Sequence, residues 1–291
     1  MTNENEHVIC LDGEGVVWHG GTAVPHAAEA IDMMRKDGFR VIILTNNASR
    51  SSAQYVARLA NGGFPGFEER DVVTSAVAVS RYLTRLGFKN DGNNGGSGRK
   101  IFVIGTEGFI SEMQKNGMTV LTTSNFDGQD IHEMELDPTV GAVIVGSSEE
   151  FSYRHVAIAT RFVIENDAML LSANQDGSYP YNRRVLIPGA YALAKCIGTA
   201  ASRNPIVLGK PNPAVFETID GLKDVPKKNI WMIGDRMNTD IKFAKNVGIR
   251  SILVLTGVSK QEEVQMYDRS DRPDFICPNL IEAFTIIKNT A

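Results

Sequence analysis

Cysteine is scarce in this chain, with three in all, at positions 10, 196 and 277. An odd number at such wide spacing excludes a disulfide framework and a clustered zinc site, and it fits a reducing cytosol. Long apolar runs are lacking too. Val41–Leu44 and Ile252–Leu255 are among the longest, far short of the ~20 residues that span a bilayer. The opening MTNENEH is polar and has no apolar h-region, so no secretory signal is visible and a cytoplasmic protein is expected. An excess of basic charge is also missing. Thirty Lys and Arg stand against 34 Asp and Glu, for a net charge of -4. Scattered bases with that balance leave no footprint for nucleic acid or for an anionic membrane, so any anion site must be local.

What is present is alternation. Short apolar segments, read as strands at Val8–Leu11, Arg40–Thr45, Ile101–Ile104, Val140–Val145, Ala168–Ser172, Ile206–Leu208, Ile230–Ile233 and Ser251–Leu255, are separated by helical windows. Those windows are Ala27–Lys36, Ser51–Asn61, Phe109–Lys115, Tyr153–Ile164, Ala190–Ala200 and Asp240–Asn246. This order predicts an α/β protein with parallel strands covered by helices. Gly38, Gly117 and Gly248 each follow a helical window, where a left-handed C-cap is expected. The stretch Lys89–Gly98, KNDGNNGGSG, contains no apolar residue and reads as an exposed connector. It suggests a core of residues 1–87 and 185–291 with an inserted second domain over 88–184.

Polar groups collect just past the carboxyl ends of four apolar strands. They are Asp12 and Glu14 in LDGEGVVWHGG, Thr45-Asn46-Asn47 after VIIL, Lys210 after IVLG, and Asp235 with Asp240 after IWMI. In a doubly wound sheet such ends line one crevice. Asp12, Asp235 and Asp240 offer hard oxygen ligands suited to Mg²⁺, while Lys210 and the Thr45 hydroxyl offer donors to an anion. A carboxylate attacking phosphorus needs that company, because Asp and a phosphate dianion repel each other until a cation neutralises them. A second carboxyl two residues on, here Glu14, can serve as general acid and base. GEGVVWHGG is not a dinucleotide fingerprint, since no third glycine falls at the required place. Cys10, inside an apolar strand, reads as a buried inert thiol; Trp18 and His19 read as turn packing.

As a set in this order, these segments resemble the four motifs of the haloacid dehalogenase superfamily. The long insert between the second and third motifs is similar to that of the C2-capped branch, which holds p-nitrophenyl, phosphoglycolate and pyridoxal phosphate phosphatases. The resemblance covers residues 8 to 260. It implies a doubly wound, Rossmann-like core with an inserted α/β C2-type cap, and a Mg²⁺-dependent phosphatase of small phosphorylated metabolites. It also implies a role for each matching position. Asp12 would be the nucleophile that becomes an aspartyl-phosphate. The backbone carbonyl of Glu14, with Asp12 and Asp235, would ligate Mg²⁺, and Asp240 would support them. Thr45, Asn46 and Asn47 would hold the phosphoryl group that Lys210 neutralises. The segment ANQDGSYP would close over substrate, making Asn174, Asp176 and Tyr179 contact candidates. Pairing through the cap into a homodimer, with Val140–Val145 contributing, is implied as well.

One position departs from the family pattern. Glu14 stands where the family usually has Asp, so the acid is kept but its arm is one methylene longer. That change leaves two further readings open: a non-catalytic binder of a phosphometabolite or protein partner, and a mutase or phosphotransferase that passes its phosphate to an acceptor.

Overall fold

Four consecutive apolar residues, Val8–Leu11, leave a strand no polar side to turn to water, so it needs cover on both faces. The computed structural model, which describes residues 6–90, 98–180 and 185–290, buries all four in the middle of a six-stranded sheet. From one edge the order is Phe275–Cys277, Arg250–Val254, Ile230–Gly234, Val8–Leu11, Arg40–Leu44 and Val72–Val73. Every neighbouring pair is parallel. Val8 aligns with Ile230 on one side and with Arg40 on the other. The chain therefore winds outward in both directions from the first strand. That reversal is the switch point of a doubly wound sheet, where strand carboxyl ends open a crevice.

The chain divides into two compact units. The first comprises residues 1–45, 55–73 and 210–291; the second, residues 46–54 and 74–209. In the first, side chains alternate between faces as the two-residue period of a strand requires. Ile9, Leu11, Ile233, Ile252 and Val254 share a core with Trp231 and Phe284, while Leu253 joins Met237, Ile241 and Val264.

The second unit has its own parallel sheet, ordered Ile206–Val207, Met169–Ser172, Val140–Val145, Lys100–Ile104 and Val120–Leu121. Ile101, Val103, Ala142 and Ile144 line one of its cores with Phe109. Phe102, Ile104, Val143 and Val145 line the other with Ile158 and Phe162.

The expected helical windows and strands form, with ends moved by a few residues. Gly38, Gly117 and Gly248 adopt the left-handed conformation expected after a helix, with φ of 84°, 79° and 80°. Elements not read from the sequence include the helices Ser75–Arg85 and Leu280–Thr290 and the sheet strands Val72–Val73, Val120–Leu121 and Phe275–Cys277.

The borders between the units also differ from the expected 87/88 and 184/185. Ile206–Val207 pairs with Leu171–Ser172, and Leu193, Ala194 and Ile197 share a core with Phe162. Residues 185–209 therefore belong with the second unit, and the chain returns to the first at Lys210. At the other border, Ala76, Val79 and Leu83 pack with Ile101 and Val103, which draws in the helix Ser75–Arg85. The connector expected at Lys89–Gly98 thus falls inside the second unit; its residues 91–97 lie outside the described residues, as do 181–184. Val140–Val145 is the middle strand of its sheet and is buried at every residue but Gly141. It cannot supply the dimer surface expected of it, because neighbours on both sides take its backbone and helices take its side chains.

Phe162 holds the second core together, with ring centroids 5.3 Å from Phe102 and 5.9 Å from Phe126. Phe162→Ala should lower stability by about 3–5 kcal/mol, read as a shift in the urea unfolding midpoint. A shift worth less than about 1 kcal/mol would mean that the cluster closes over the cavity.

Candidate active site

An ammonium group has three protons to donate, and burying it is costly unless all are used. Lys210 is 1% exposed. Its Nζ donates to Asp12 Oδ1 at 2.7 Å, to Asp240 Oδ1 at 2.7 Å and to the Leu44 carbonyl at 2.6 Å. The three acceptors stand at or beyond the carboxyl ends of the strands Val8–Leu11, Ile230–Gly234 and Arg40–Leu44, so the sheet brings them to one ammonium.

Asp235 and Asp240 are fixed by the loops that follow those strands. The Val258 backbone N–H donates to Asp235 Oδ2 at 2.7 Å, and the Ser259 N–H to the Asp235 carbonyl at 2.9 Å. Asp240 lies in a wide turn in which the Ile241 N–H reaches back five residues to the Arg236 carbonyl at 3.2 Å; such π-type turns recur at functional sites. Its Oδ2 accepts from the Arg236 N–H at 3.1 Å. Glycines give the acids their room. A side chain at Gly15 or Gly257 would overlap the Asp235 carboxylate, and one at Gly234 would overlap Asp240.

Among the described residues, Asp12, Asp235 and Asp240 form a group of acids whose nearest oxygens all lie within 4.8 Å of one another. Were all three ionised, three carboxylates against one ammonium would leave two negative charges uncompensated. The strain appears in their proton affinities. Burial, reinforced by the neighbouring Asp240, lifts Asp12 from 3.8 to about 6 even against the pull of Lys210. Burial and the charges of Asp240 and Asp12 lift Asp235 to about 8. Burial alone would lower Lys210, but the two carboxylates on its Nζ override that and raise it. Asp235 Oδ1 is buried with no hydrogen-bond partner. An orphaned carboxylate oxygen, acids whose full ionisation lacks a counter-charge and an all-oxygen donor set fit a hard divalent cation held by Asp12, Asp235 and Asp240.

Residues 9–119 match the family of haloacid dehalogenase-like hydrolases, and residues 207–283 match its HAD-hydrolase-like model. Glycerol-3-phosphate phosphatase of Gallus gallus is 32% identical over 275 residues, covering 92% of this chain and 86% of that protein. The 4-nitrophenylphosphatase of Schizosaccharomyces pombe is 29% identical, covering 94% and 91%. This chain belongs to the haloacid dehalogenase-like hydrolases. Among solved structures, a Pyrococcus horikoshii protein titled hypothetical aligns with a TM-score of 0.82 at 29% identity, covering 97% of this chain and 99% of its own. The Mycobacterium tuberculosis glycerol phosphate phosphatase in complex with magnesium aligns with a TM-score of 0.77 at 28% identity, covering 94% and 75%. As a member of this family with full-length phosphatase relatives, the chain is an enzyme of the phosphoric monoester hydrolase class.

The positions expected from the sequence of this hydrolase fall into two sets. Asp12, Glu14, Thr45, Lys210, Asp235 and Asp240 lie in the first unit, and Asn46, Asn47, Asn174, Asp176 and Tyr179 lie in the second. In the first set, the Glu14 carboxylate is outside the acid group. It is exposed, and Oε1 accepts from the Gly20 N–H in the turn of the Trp18–His19/Thr22–Ala23 hairpin, at 2.5 Å. Thr45 is buried and shares a hydrogen bond with the Tyr55 phenol. Burial pushes the Cys10 thiol up to about 12, which keeps it inert. In the second set, Asn174 Nδ2 donates to the Asn46 carbonyl at 2.8 Å, and its Oδ1 accepts from the Asp176 N–H at 3.1 Å. Asn47 Oδ1 accepts from the Ser49 N–H at 3.1 Å, shaping the entry to the helix Ser52–Asn61. Tyr179, half-buried, pairs with Ile187 in the short antiparallel ribbon Ser178–Pro180/Leu186–Pro188.

Sequence reasoning missed Tyr55 and the Val258–Ser259 loop. Neither carries a motif, since one acts through a phenol inside a helix and the other through backbone N–H groups.

Proton affinity at Asp235 predicts how a cation acts on stability. Its folded value of about 8 lies above the ordinary 3.8, so the metal-free folded chain holds a proton that the unfolded chain has released. Stability then falls as pH rises through that window. The melting temperature in EDTA should drop more steeply from pH 6 to pH 8 than the melting temperature in Mg²⁺, so that the Mg²⁺-induced rise grows with pH. An Mg²⁺ effect that shrinks with pH would show that the cation binds elsewhere.

Proposed function

We propose that this chain is a Mg²⁺-dependent phosphatase of small phosphate monoesters that works through an aspartyl-phosphate on Asp12. The observation that carries this reading is the Asp12 carboxylate held by Lys210 beside two further acids, one with an unsatisfied buried oxygen. An Asp12 oxygen attacks phosphorus, the bond from phosphorus to the ester oxygen breaks, and the departing oxygen takes a proton. Water then attacks the acyl phosphate, the bond between phosphorus and Asp12 breaks, and inorganic phosphate leaves with the carboxylate restored. Lys210 offsets charge on the transferring group. The Thr45 hydroxyl is the donor offered to the phosphoryl oxygens. When bound by Asp12, Asp235 and Asp240, Mg²⁺ supplies the positive charge that lets an anionic nucleophile approach an anionic ester. Substrate candidates are glycerol 3-phosphate, phosphoglycolate and pyridoxal phosphate, to be separated by a turnover panel with and without Mg²⁺.

Asp12→Asn removes the nucleophile and weakens a cation ligand. Turnover of 4-nitrophenyl phosphate should fall by at least about 10³-fold, in line with other nucleophile deletions. A variant that kept a tenth of wild-type turnover would refute the covalent route.

Glu14 is proposed as the group that moves protons, slowed by its longer arm. One added C–C bond is about 1.5 Å, and the carboxylate in its present place is taken by the Gly20 N–H. A misplacement of about 1 Å costs on the order of 10²-fold. Glu14→Asp should therefore raise turnover of 4-nitrophenyl phosphate roughly ten- to hundredfold. A drop would mean that the site has adapted to Glu and that no rate was lost.

A further inference from the structure

Gly13 stands between the nucleophile and the proposed proton carrier, and its φ is not in the left-handed region that favours glycine. Backbone freedom does not explain it. Space does: a Cβ at residue 13 would overlap the Tyr55 phenol oxygen, with the ring Cζ at 3.4 Å and Thr45 Oγ1 at 3.5 Å. Tyr55 is 1% exposed, and its phenol shares a hydrogen bond with the Thr45 side chain. One oxygen atom thus closes against the backbone of the Asp12–Glu14 turn and holds the hydroxyl at the end of the neighbouring strand.

The ring itself has little room to move. It packs on Trp18 at a centroid distance of 5.4 Å, and Trp18 packs in turn on Phe64 at 5.9 Å. The Arg58 guanidinium lies 4.1 Å over the Trp18 ring. Trp18 also belongs to the same turn, since its N–H donates to the Gly13 carbonyl at 3.1 Å and its carbonyl accepts from the Gly15 N–H at 2.6 Å. The Gly13–Trp18 loop is therefore clamped to the helix Ser52–Asn61 through the Trp18 and Tyr55 rings, and the Tyr55 hydroxyl points at Gly13 and Thr45.

We infer that Tyr55 is a positioning residue for this site, its phenol seated in the space left by Gly13 so that the Asp12 turn and the Thr45 hydroxyl are held in register. The inference rests on the phosphatase reading given above. It names a pair that must change together: residue 13 is restricted to glycine for as long as residue 55 is tyrosine. With phenylalanine at 55 the oxygen is gone, and a methyl group at 13 meets the ring carbon at ordinary contact distance.

The test is a double-mutant cycle over Gly13→Ala, Tyr55→Phe and the two combined, read by melting temperature, by kcat and KM on 4-nitrophenyl phosphate with Mg²⁺, and by the thermal shift from orthovanadate with Mg²⁺. Gly13→Ala should lower kcat on the order of 10²-fold, as a displaced nucleophile does. Tyr55→Phe alone should cost about fivefold, the worth of one hydrogen bond. The double variant should recover at least about tenfold over Gly13→Ala, with its melting temperature restored in parallel and KM little changed. A purely structural role would restore the melting temperature and leave kcat and the orthovanadate shift unmoved across the set, which overturns the inference. So would a Gly13→Ala protein as active as wild type, or a double variant no better than Gly13→Ala. A wild type with neither turnover nor an orthovanadate shift would sink the phosphatase reading first and the inference with it, while steric coupling in the melting temperatures would still be read.

Discussion

The Lys210 ammonium is the contact on which the site depends. It is an ion taken out of water, and its three protons go to acceptors at the ends of three different strands. Removing one partner of such a buried set typically costs about 3–5 kcal/mol, because a charge is left without compensation. The same cost works as a specification. A register slip of one residue in any of the three strands would leave part of the ammonium unpaired, so the ion selects the alignment in which Asp12, Asp240 and the Leu44 carbonyl coincide. The parallel sheet delivers those ends to one place, and the charge network makes that place unique.

The acids are held as much by what is missing around them as by what touches them. Gly15, Gly234 and Gly257 each leave a volume that an Asp235 or Asp240 carboxylate fills. Gly13 leaves one that a phenol fills. Close approach of like charges is unfavourable, and here it is enforced by backbone N–H groups from Val258 and Arg236 acting on oxygens that have no other room. A site prepared in this way is poised for positive charge, because neutralising it releases energy stored in the folded state.

Much of this was legible in the sequence, for a physical reason. Strands buried on both faces read as unbroken apolar runs, so Val8–Leu11, Ile230–Gly234 and Val140–Val145 announce themselves, and the polar residue after each run stands out. Asp12 and Asp235 stand out that way, while Lys210 follows the shorter, partly exposed run at Ile206–Val207 and Asp240 the turn after Asp235. The helix Ser75–Arg85 was not legible, because SAVAVSRYLTR opens on β-branched and hydroxyl residues of modest helix propensity; its Ser75 and Ser80 are nonetheless buried. The strand Phe275–Cys277 is three residues long, too short to carry a pattern. The return border was misplaced because Ile206–Val207 looks like any other short strand, and only its partner, Met169–Ser172, tells which sheet it joins. Tyr55 was hidden for a related reason. Its meaning lies in Gly13 and Thr45, which are distant in sequence, and a tyrosine on the inner face of an amphipathic helix reads as core.

The pairing of Val8–Leu11 with Ile230–Gly234 joins segments more than 200 residues apart. During synthesis one side of the first strand can pair early with Arg40–Leu44, but its other side waits until Ile230–Gly234 has been made. At about 5–20 residues per second, that wait is on the order of 10 to 40 s, with a row of unpaired backbone groups and an acid at its end. The second unit, residues 74–209 with 46–54, is complete on the ribosome before the first can close its sheet. The nascent chain therefore carries Asp12 long before the Lys210 ammonium that pairs with it, and the exposed edge of the first strand is the feature that a chaperone would have to shield in between.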